Sequence, residues 1–443
     1  MSGTEAKVDL KGELERTAHA ARAAGQQLIA RTGEERAALL SALAQVLERP
    51  EARASILEAN ARDVARAREA EARGTLAPAL VKRLVLDGAK LQGLCEGLRQ
   101  LAAQEDLVGR VQVHRELDTG LVLQRVSCPL GVLGVVFESR PDALVQIVSL
   151  ALRSANAVLL KGGKEALETN RALTACVHEV LEAHGVPREA VVLLEDRAAV
   201  DALLALERGV DLVVARGGSE FVRHVRALAR MPVLAHADGL CHLYLHAGAE
   251  PGMAARLALD AKCSYPAACN SIETLLWEPG AEGALAACVQ VLAAAGVELR
   301  ADAATRARHP ALKEATDADW DTEYSALVLS LRCVSGLDEA LAHIAQHGSR
   351  HTEAIVTQDA RAAARFLAEV DAGSVFHNAS TRFADGFRYG LGAEVGISTE
   401  KLHARGPVGV EGLLTYRWLL RGEGQVASDY GPTGRRFTHR DLP

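Results

Sequence analysis

The stretch that decides the fold is residues 129–164, PLGVLGVVFESRPDALVQIVSLALRSANAVLLKGGK. The apolar runs at 131–137 and 157–160 have the length and composition of buried strands. The amphipathic segment 143–153 between them has the period of a helix. A strand, a helix and a second strand in this order predict a βαβ unit, with the two strands parallel in one sheet.

The same alternation continues beyond this unit. Helices are predicted at 165–183, 198–206 and 220–229, and strands at 190–194 and 210–215. From about His242 the alternation starts again, which predicts a second αβ domain. On the N-terminal side, residues 10–104 have the 3.6-residue period of helices.

A β-hairpin is predicted just before the first sheet. Residues 111–117 and 121–126 alternate apolar with polar side chains around Asp118-Thr119-Gly120, a turn signal. We interpret this hairpin and the C-terminal tail as an arm for oligomerisation. The predicted fold class is therefore α/β, with two parallel-sheet αβ domains and a small hairpin arm. The division is 1–110 with 127–241 for a nucleotide-binding domain, 242–420 for a catalytic domain, and 111–126 with 421–443 for the arm.

Composition excludes several classes of protein. The net charge of −7 lacks the basic footprint of a general nucleic-acid binder. The N-terminal residues contain no apolar signal region, and the longest apolar run is far shorter than the roughly 20 residues that span a bilayer. The eight cysteines are scattered without zinc spacing. We expect a soluble, cytoplasmic protein with no membrane contact, no metal site and no disulfide framework.

Two strand ends in the first domain are candidates for nucleotide binding, although the Gly-x-Gly-x-x-Gly fingerprint is absent. Lys161 and Lys164 follow one strand, separated by two glycines. Gly217, Gly218 and Ser219 follow another, with Ser219 as a suitable helix N-cap. Helix N-termini at the carboxyl ends of parallel strands favour anions. Two interpretations stay open, a cofactor site or tight strand-to-helix turns.

Cys269 is the candidate nucleophile. The preceding Tyr-Pro-Ala-Ala places it in a turn of small residues before a predicted strand at 271–277. A cysteine in such a turn can be exposed, and its thiolate is a nucleophile. The alternatives are that Cys269 is a packed small hydrophobic residue, or that Cys263 is the reactive thiol.

The C-terminal region is rich in glycine and polar residues, and loops of this kind often bind ligands. Within it, Arg382 and Arg405 are suited to clamp a phosphate or a carboxylate through two hydrogen bonds. The alternative is a solvated loop with surface arginines, and the pattern does not decide between the two.

Together these stretches resemble the γ-glutamyl phosphate reductases, a family of the aldehyde dehydrogenase superfamily. The resemblance runs from about residue 10 to about residue 425. It is carried by PLGVLGVVFESRPD from residue 129, ARGGS from 215, YPAACN from 265, GAEVGIST from 392 and LHARGPVG from 402. YPAACN and HADGLCH, from residue 236, are closest to the reductase half of the bifunctional pyrroline-5-carboxylate synthases, which also carry a glutamate kinase.

The resemblance implies an NADPH-dependent reduction of L-glutamyl 5-phosphate, the second step of proline biosynthesis, through a thioester on Cys269. The oxyanion is then expected on backbone N–H groups near Cys269 and on Asn270. It also implies a homo-oligomer, and a separate glutamate kinase as a transient partner because this chain is too short to contain one.

The resemblance assigns further site residues. Cofactor binding is expected from Lys161 at the adenosine ribose or 2′-phosphate, Lys164 beside it, Gly217, Gly218 and Ser219 along the cofactor, and Glu323 at the nicotinamide ribose. Arg140, Arg382 and Arg405 are expected at the substrate's phosphate and α-carboxylate. Ser139 falls near the position of an oxyanion asparagine in aldehyde dehydrogenases.

One departure from the superfamily pattern is informative. Hydrolytic aldehyde dehydrogenases carry a glutamate base where this chain reads Val233-Leu-Ala-His-Ala-Asp-Gly, with alanine or histidine at that place. A reductase that cleaves an acyl phosphate needs no such base, because phosphate is the leaving group and water must be excluded. This argues against the first rival, an aldehyde-oxidising dehydrogenase. The second rival, a silent scaffold that binds glutamate kinase, conflicts with the presence of Cys269.

Overall fold

The computed structural model describes residues 3–138, 140–196, 198–236, 238–401 and 403–443. The N-terminal region is helical, as predicted, and the hairpin follows it. The elements are α1 Gly3–Ile29, α2 Gly33–Glu48, α3 Pro50–Ala72, α4 Pro78–Leu84, α5 Gly88–Ala102, β1 Val111–Asp118 and β2 Leu121–Pro129. No helix in these described ranges is long and apolar enough to cross a lipid bilayer.

A five-stranded parallel sheet forms the centre of the first domain, in the order β5-β4-β3-β6-β7. Its elements are β3 Val132–Phe137, α6 Pro141–Arg153, β4 Ala157–Gly162, α7 Leu167–Ala183, β5 Val191–Leu193, α8 Ala198–Leu204, β6 Leu212–Arg216, α9 Ser219–Leu228 and β7 Val233–Leu234. Leu133 and Val135 pack into the hydrophobic core on one face, and Val132 and Val136 into the core on the other. Burial on both faces explains why this strand is a continuous apolar run.

A seven-stranded parallel sheet forms the second domain, in the order β11-β10-β12-β9-β8-β13-β14. Its elements are β8 Cys241–Leu245, α10 Pro251–Cys263, β9 Ile272–Trp277, α11 Glu282–Ala294, β10 Glu298–Ala301, α12 Ala303–Arg308, β11 Lys313–Glu314, β12 Val328–Cys333, α13 Leu337–His347, β13 Thr352–Val356, α14 Ala360–Glu369 and β14 Ser374–His377. The restart of the αβ alternation near His242 is confirmed.

The remaining strands complete the arm and a two-stranded ribbon. They are β15 Gly396–Ser398, β16 Gly406–Val408, β17 Leu414–Arg421 and β18 Arg440–Asp441. The arm is a four-stranded antiparallel sheet in the order β17-β2-β1-β18. The predicted fold class, two parallel sheets with a small antiparallel arm, is confirmed. The arm also includes β17, most of which the sequence division placed in the second domain.

Part of the C-terminal region packs into the first domain. Ala393, Val395, Val408 and Val410 belong to the same hydrophobic core as Leu133. The sequence division assigned these residues to the second domain, because β15 and β16 are too short to give a periodic signal. The division into functional domains stays a prediction.

Candidate active site

Three loops meet at one edge of the seven-stranded sheet. Gly239 lies just before β8, Cys269 just before β9, and His351 directly before β13. These strands are neighbours in the order β9-β8-β13. Because neighbouring parallel strands begin at the same edge, the three loops converge although they are far apart in the chain.

Cys269 lies beside two histidines at this edge. Its sulfur and one ring nitrogen each of His236 and His351 lie within 4.8 Å of one another. Nδ1 of His236 faces the Ile397 carbonyl oxygen at 3.2 Å, and Nδ1 of His351 faces Thr352 Oγ1 at 2.8 Å. The Nε2 atom of each ring is therefore the nitrogen available to the sulfur. In His351 this atom is buried without a hydrogen bond to any described residue.

The electrostatics of the site favour a thiolate. Burial alone raises the pKa of the Cys269 thiol, but the charges of His351 and His236 outweigh burial and hold this pKa well below its usual range. Conversely, burial lowers the pKa of His236, whereas the Cys269 thiolate raises it, and the net shift is upward. These shifts favour a thiolate beside an imidazolium, and the thiolate is the nucleophilic form of cysteine.

Two arginines and one carboxylate complete the charged surroundings of the sulfur. Arg216, Arg382 and Glu394 each interact electrostatically with Cys269. Arg216 is half-buried, and its Nη1 atom is buried without a hydrogen-bond partner in the described part of the chain. The excess of cations suits an anionic substrate.

The loop that carries Cys269 is held closely by its neighbours. A Cβ atom at Gly239 would lie 2.6 Å from Cys269 Cα, so only glycine fits there. The Gly239 N–H donates to Glu323 Oε2 at 3.0 Å, and the Cys241 thiol donates to the Cys269 carbonyl oxygen at 3.2 Å. Glu323 therefore lies at this edge, and its predicted contact with a cofactor stays a prediction.

Asn270 is buried and anchors the C-terminal loop. Its Nδ2 donates to the Ala384 carbonyl oxygen at 2.9 Å, next to the short turn that contains Arg382. This bond explains why the Cys269 turn and the C-terminal loop lie together. The role of Asn270 toward an oxyanion stays a prediction.

The predicted cofactor residues lie at the carboxyl edge of the first sheet. Lys161, near the end of β4, is buried and donates through Nζ to the Gly162 carbonyl oxygen at 2.6 Å, and Lys164 is exposed just beyond it. At the start of α9, the Gly218 N–H donates to Glu138 Oε2 at 3.3 Å.

The prediction that Ser219 is the N-cap of this helix is wrong. Gly218 is the cap residue and Ser219 is the first helical residue. The Ser219 hydroxyl donates to Asp238. The side chain thus ties the start of α9 to the loop before β8.

A cleft of about 560 Å³ separates the two domains beside the Cys269 turn. Its wall in the second domain is formed by Tyr265, Pro266 and Ala267 and by Ser325, Ala326 and Leu327. Its wall in the first domain is formed by Lys82, Arg83, Lys90, Arg140 and Asp142. Four cations against one carboxylate make this cleft strongly positive.

The structure brings two of the three predicted arginines to this region. Arg140 lines the cleft. Arg382 donates through Nε to Ser264 Oγ at 3.1 Å, and its guanidinium lies 5.9 Å from the centre of the Tyr265 ring. Arg405 lies elsewhere. It pairs with Asp371 at 2.7 Å and lines a separate cavity of about 820 Å³ beneath the arm. Ser139 lies outside the described residues.

The sequence analysis missed His351, Arg216 and the pair Lys82 and Arg83. For His236 one signal was available in the sequence, because this residue lies in the segment from Val233 to Gly239 that lacks the glutamate base of hydrolytic aldehyde dehydrogenases. One sulfur and two imidazoles are also a set that zinc can bind. We assign these groups to activation of the thiol, since a sulfur held by a metal ion is not a free nucleophile.

The fold and the site define a class. The aldehyde dehydrogenase superfamily has this architecture, in which two parallel-sheet αβ domains meet at a cleft beside a reactive cysteine. An acetylating aldehyde dehydrogenase from Geobacillus thermoglucosidasius shares this fold, with a TM-score of 0.65 at 17% identity, covering 95% of this chain and 98% of that one.

Closer relatives narrow the class. A γ-glutamyl phosphate reductase from Synechococcus sp. (strain JA-2-3B'a(2-13)) is 54% identical over 413 residues, which is 93% of this chain and 90% of the relative. The crystal structure of γ-glutamyl phosphate reductase from Thermotoga maritima has a TM-score of 0.88 at 37% identity, covering 93% of this chain and 99% of that one. No protein-family model matches the chain. The chain belongs to the γ-glutamyl phosphate reductase family of oxidoreductases.

Proposed function

We propose that the protein reduces L-glutamyl 5-phosphate to L-glutamate 5-semialdehyde with NADPH, releases inorganic phosphate, and passes through a thioester on Cys269. The observation that carries this proposal is the Cys269 thiol, whose pKa is lowered by His351 and His236 against the effect of burial. It lies beside a cationic cleft in a chain that belongs to a family of acyl phosphate reductases.

The chemistry begins with attack of Cys269 Sγ on the acyl carbon, which expels phosphate. Backbone N–H groups near Cys269 and the Asn270 side chain hold the oxyanion. Loss of one such donor typically raises a barrier by about 2.7–4 kcal/mol. Ser139 is a further candidate at this position.

Arg140 and Arg382 bind the phosphate and the α-carboxylate, because guanidinium groups suit such anions through paired hydrogen bonds. Which arginine meets which anion is left open in the proposal. Arg405 is a weaker candidate for either contact, since its guanidinium is already paired with Asp371.

The residues at the carboxyl edge of the first sheet fit a phosphorylated nicotinamide dinucleotide. The Lys161 and Lys164 ammonium groups suit the 2′-phosphate, and the Gly217-Gly218-Ser219 turn gives close backbone approach at a helix N-terminus. Glu323, fixed by the Gly239 N–H, is the residue that we assign to the nicotinamide ribose. When bound, the reduced nicotinamide supplies the hydride that converts the thioester to the aldehyde.

We propose further that the arm joins copies of the chain into a homo-oligomer. Tyr416, Trp418 and Leu420 on β17 are all exposed, which is unusual for three large apolar side chains on one face of a strand. The substrate is a labile acyl phosphate, so a glutamate kinase is the transient partner that supplies it. This places the reaction second in proline biosynthesis, in the cytoplasm.

The test runs the reaction backwards, because the semialdehyde is easier to supply than the acyl phosphate. Purified protein is mixed with glutamate 5-semialdehyde and NADP, and NADPH absorbance is followed with and without inorganic phosphate. We expect NADPH formation that requires phosphate. Formation without phosphate would identify a hydrolytic dehydrogenase, and no formation would favour a silent scaffold.

The cofactor assignment has its own test. We expect Lys164→Ala to raise the KM for NADP more than the KM for NAD, because only NADP carries the 2′-phosphate. The exposed Lys11 supplies the matched control, Lys11→Ala, which removes an ammonium group from a helix remote in sequence from the strand ends. Equal effects on both cofactors would contradict the role of Lys164.

A further inference from the structure

The two histidines beside Cys269 are held in different ways. His236 is half-buried, and its Nδ1 lies 3.2 Å from the Ile397 carbonyl oxygen. A carbonyl oxygen only accepts hydrogen bonds, so Nδ1 of His236 carries a hydrogen in every protonation state. Protonation and deprotonation of this ring therefore take place at Nε2, the atom that faces Cys269.

His351 is fully buried, and its Nδ1 contacts the Thr352 hydroxyl at 2.8 Å. The two rings meet edge to face with their centres 5.3 Å apart. His351 is therefore the buried ring of the pair, whereas His236 is half-buried and is the ring with some exposure to solvent.

The other charged groups around these rings do not replace His236 as a proton donor. Arg216 faces both His236 and Cys269 and stays a cation. Arg382 is a second fixed cation and Glu394 is a carboxylate whose pKa is raised by burial. On the side of His351 lie Cys241, whose sulfur is 3.9 Å from His351 Nδ1, and Glu353, and both residues are fully buried.

We propose that His236 is a catalytic acid and base of this site: it takes the proton of the Cys269 thiol and delivers it to the departing phosphate. His351 is a positioning residue that fixes the thiolate against His236. This proposal rests on the proposed function, because it assigns the proton in the same acyl transfer.

The step balances as follows. The thiol proton moves to His236 Nε2, and Sγ forms its bond to the acyl carbon. The bond between the acyl carbon and the phosphate oxygen breaks, its electron pair stays on that oxygen, and the oxygen takes the proton from His236. After hydride reduction of the thioester, the thiolate leaves again and His236 regains one proton from solvent.

The experiment compares His236→Asn with the wild-type protein. Asparagine places an amide N–H near the position of Nδ1 and keeps the bond to Ile397, while it removes Nε2. His347→Asn is the matched control, since His347 is also a half-buried histidine and pairs with the exposed Asp321. Thermal unfolding of all three proteins checks that the fold is retained.

The first measurement is the rate of Cys269 alkylation by iodoacetamide from pH 5 to pH 9, read by mass spectrometry of peptides. Cys128, a half-buried thiol in the arm whose pKa is raised by burial, is the reference thiol in the same sample. In His236→Asn we expect Cys269 to lose reactivity at pH 6 by about tenfold or more, because one of the two histidines that lower its pKa is gone. An unchanged profile overturns the proposal whatever the turnover of the variant.

The second measurement is phosphate-dependent turnover as a function of pH. Loss of a general acid typically costs about 10²–10⁴-fold, so we expect kcat to fall in this range while the KM for phosphate changes little. A changed KM for phosphate with an unchanged kcat would overturn the role of His236 as an acid. If the wild-type protein lacks phosphate-dependent activity, the acyl transfer is overturned, whereas a shifted alkylation profile still supports the pairing of His236 with Cys269.

Discussion

Two groups of charged side chains in the second domain flank the same loop, and they differ in whether their polar atoms already have partners. At the cleft, Cys269 is half-buried, and His351 Nε2 has no hydrogen bond to another described residue. At the base of the loop, Lys262 Nζ and Glu273 Oε2 form an ion pair at 2.6 Å, and both side chains are buried. The group around Cys269 can therefore bind a new partner, whereas Lys262 and Glu273 are already paired with each other.

The difference shows how one segment serves reactivity and stability at once. Lys262 lies in the last turn of α10 and Glu273 lies in β9, so their pair joins the two ends of the loop that carries Cys269. The backbone N–H of Ser325 also reaches Glu273, at 3.3 Å. The loop is thus fixed at its base, which leaves the thiolate at its tip free to react without loosening the fold.

The largest effect should follow removal of the Cys269 thiol. We expect Cys269→Ala to lower phosphate-dependent turnover by about three orders of magnitude or more, because the nucleophile is lost. Its unfolding temperature should stay close to that of the wild-type protein, since Cys269 is half-buried and belongs to neither of the two main hydrophobic cores. A variant with ordinary turnover would refute the thioester route.

Breaking the ion pair between Lys262 and Glu273 should lower the stability of the protein rather than remove a reacting group. In Lys262→Met the Glu273 carboxylate stays buried without its partner, and removal of one member of such a pair typically costs about 3–5 kcal/mol of unfolding free energy. Denaturant unfolding measures this change. The double variant Lys262→Met with Glu273→Leu should recover most of the loss, and a double variant as unstable as the single one would contradict the account.

His343, a buried histidine of the second domain, extends the comparison to the pH dependence of the unfolding free energy. Burial, with nearby His242 and Arg332, lowers the pKa of His343 to about 2. Between pH 2 and the ordinary histidine value of about 6.5, the unfolded chain binds one more proton at this residue than the folded chain. Unfolding free energy should therefore fall as pH drops through this window, by up to about 1.4 kcal/mol per pH unit.

In His343→Phe this contribution should disappear. We expect a shallower dependence of unfolding free energy on pH between 6 and 4.5, measured by denaturant unfolding at each pH. An identical slope in the two proteins would show that His343 is not kept neutral by the core.

The smallest effect should come from Cys241, the second thiol near the site. Burial and the nearby Glu353 raise the pKa of its thiol well above its usual range. We expect Cys241→Ala to change turnover by less than about tenfold, because it removes the bond to the Cys269 carbonyl oxygen and a long contact of 3.9 Å with His351 Nδ1. A loss as large as that of Cys269→Ala would mean that the two thiols act together.

The sequence predicted the parts of the fold that local patterns encode. Residues 129–164 form the predicted strands and helix because burial on both faces of the sheet leaves a continuous apolar run in the sequence. The turn before Cys269 was predicted from Pro266 and two alanines. The oligomerisation role of the arm and the cofactor roles of Lys161 and Glu323 stay predictions.

The convergence at the amino edge of the second sheet could not be predicted from the sequence. His351 meets Cys269 only because β13, β8 and β9 are neighbours, and strand order is not a local property. The rule that ligands lie at the carboxyl ends of parallel strands pointed only to the first sheet. Arg405 also illustrates this limit, since no spacing in the sequence reveals its ion pair with Asp371.

The return of residues 393–410 to the first hydrophobic core has a consequence for synthesis on the ribosome. The N-terminal sheet emerges first, yet Ala393, Val395, Val408 and Val410 complete its core near the end of translation. Domains generally fold as units as they emerge. Here the first domain must wait with an uncovered apolar face until nearly the whole chain is made, so we expect nascent chains stalled before residue 393 to bind chaperones.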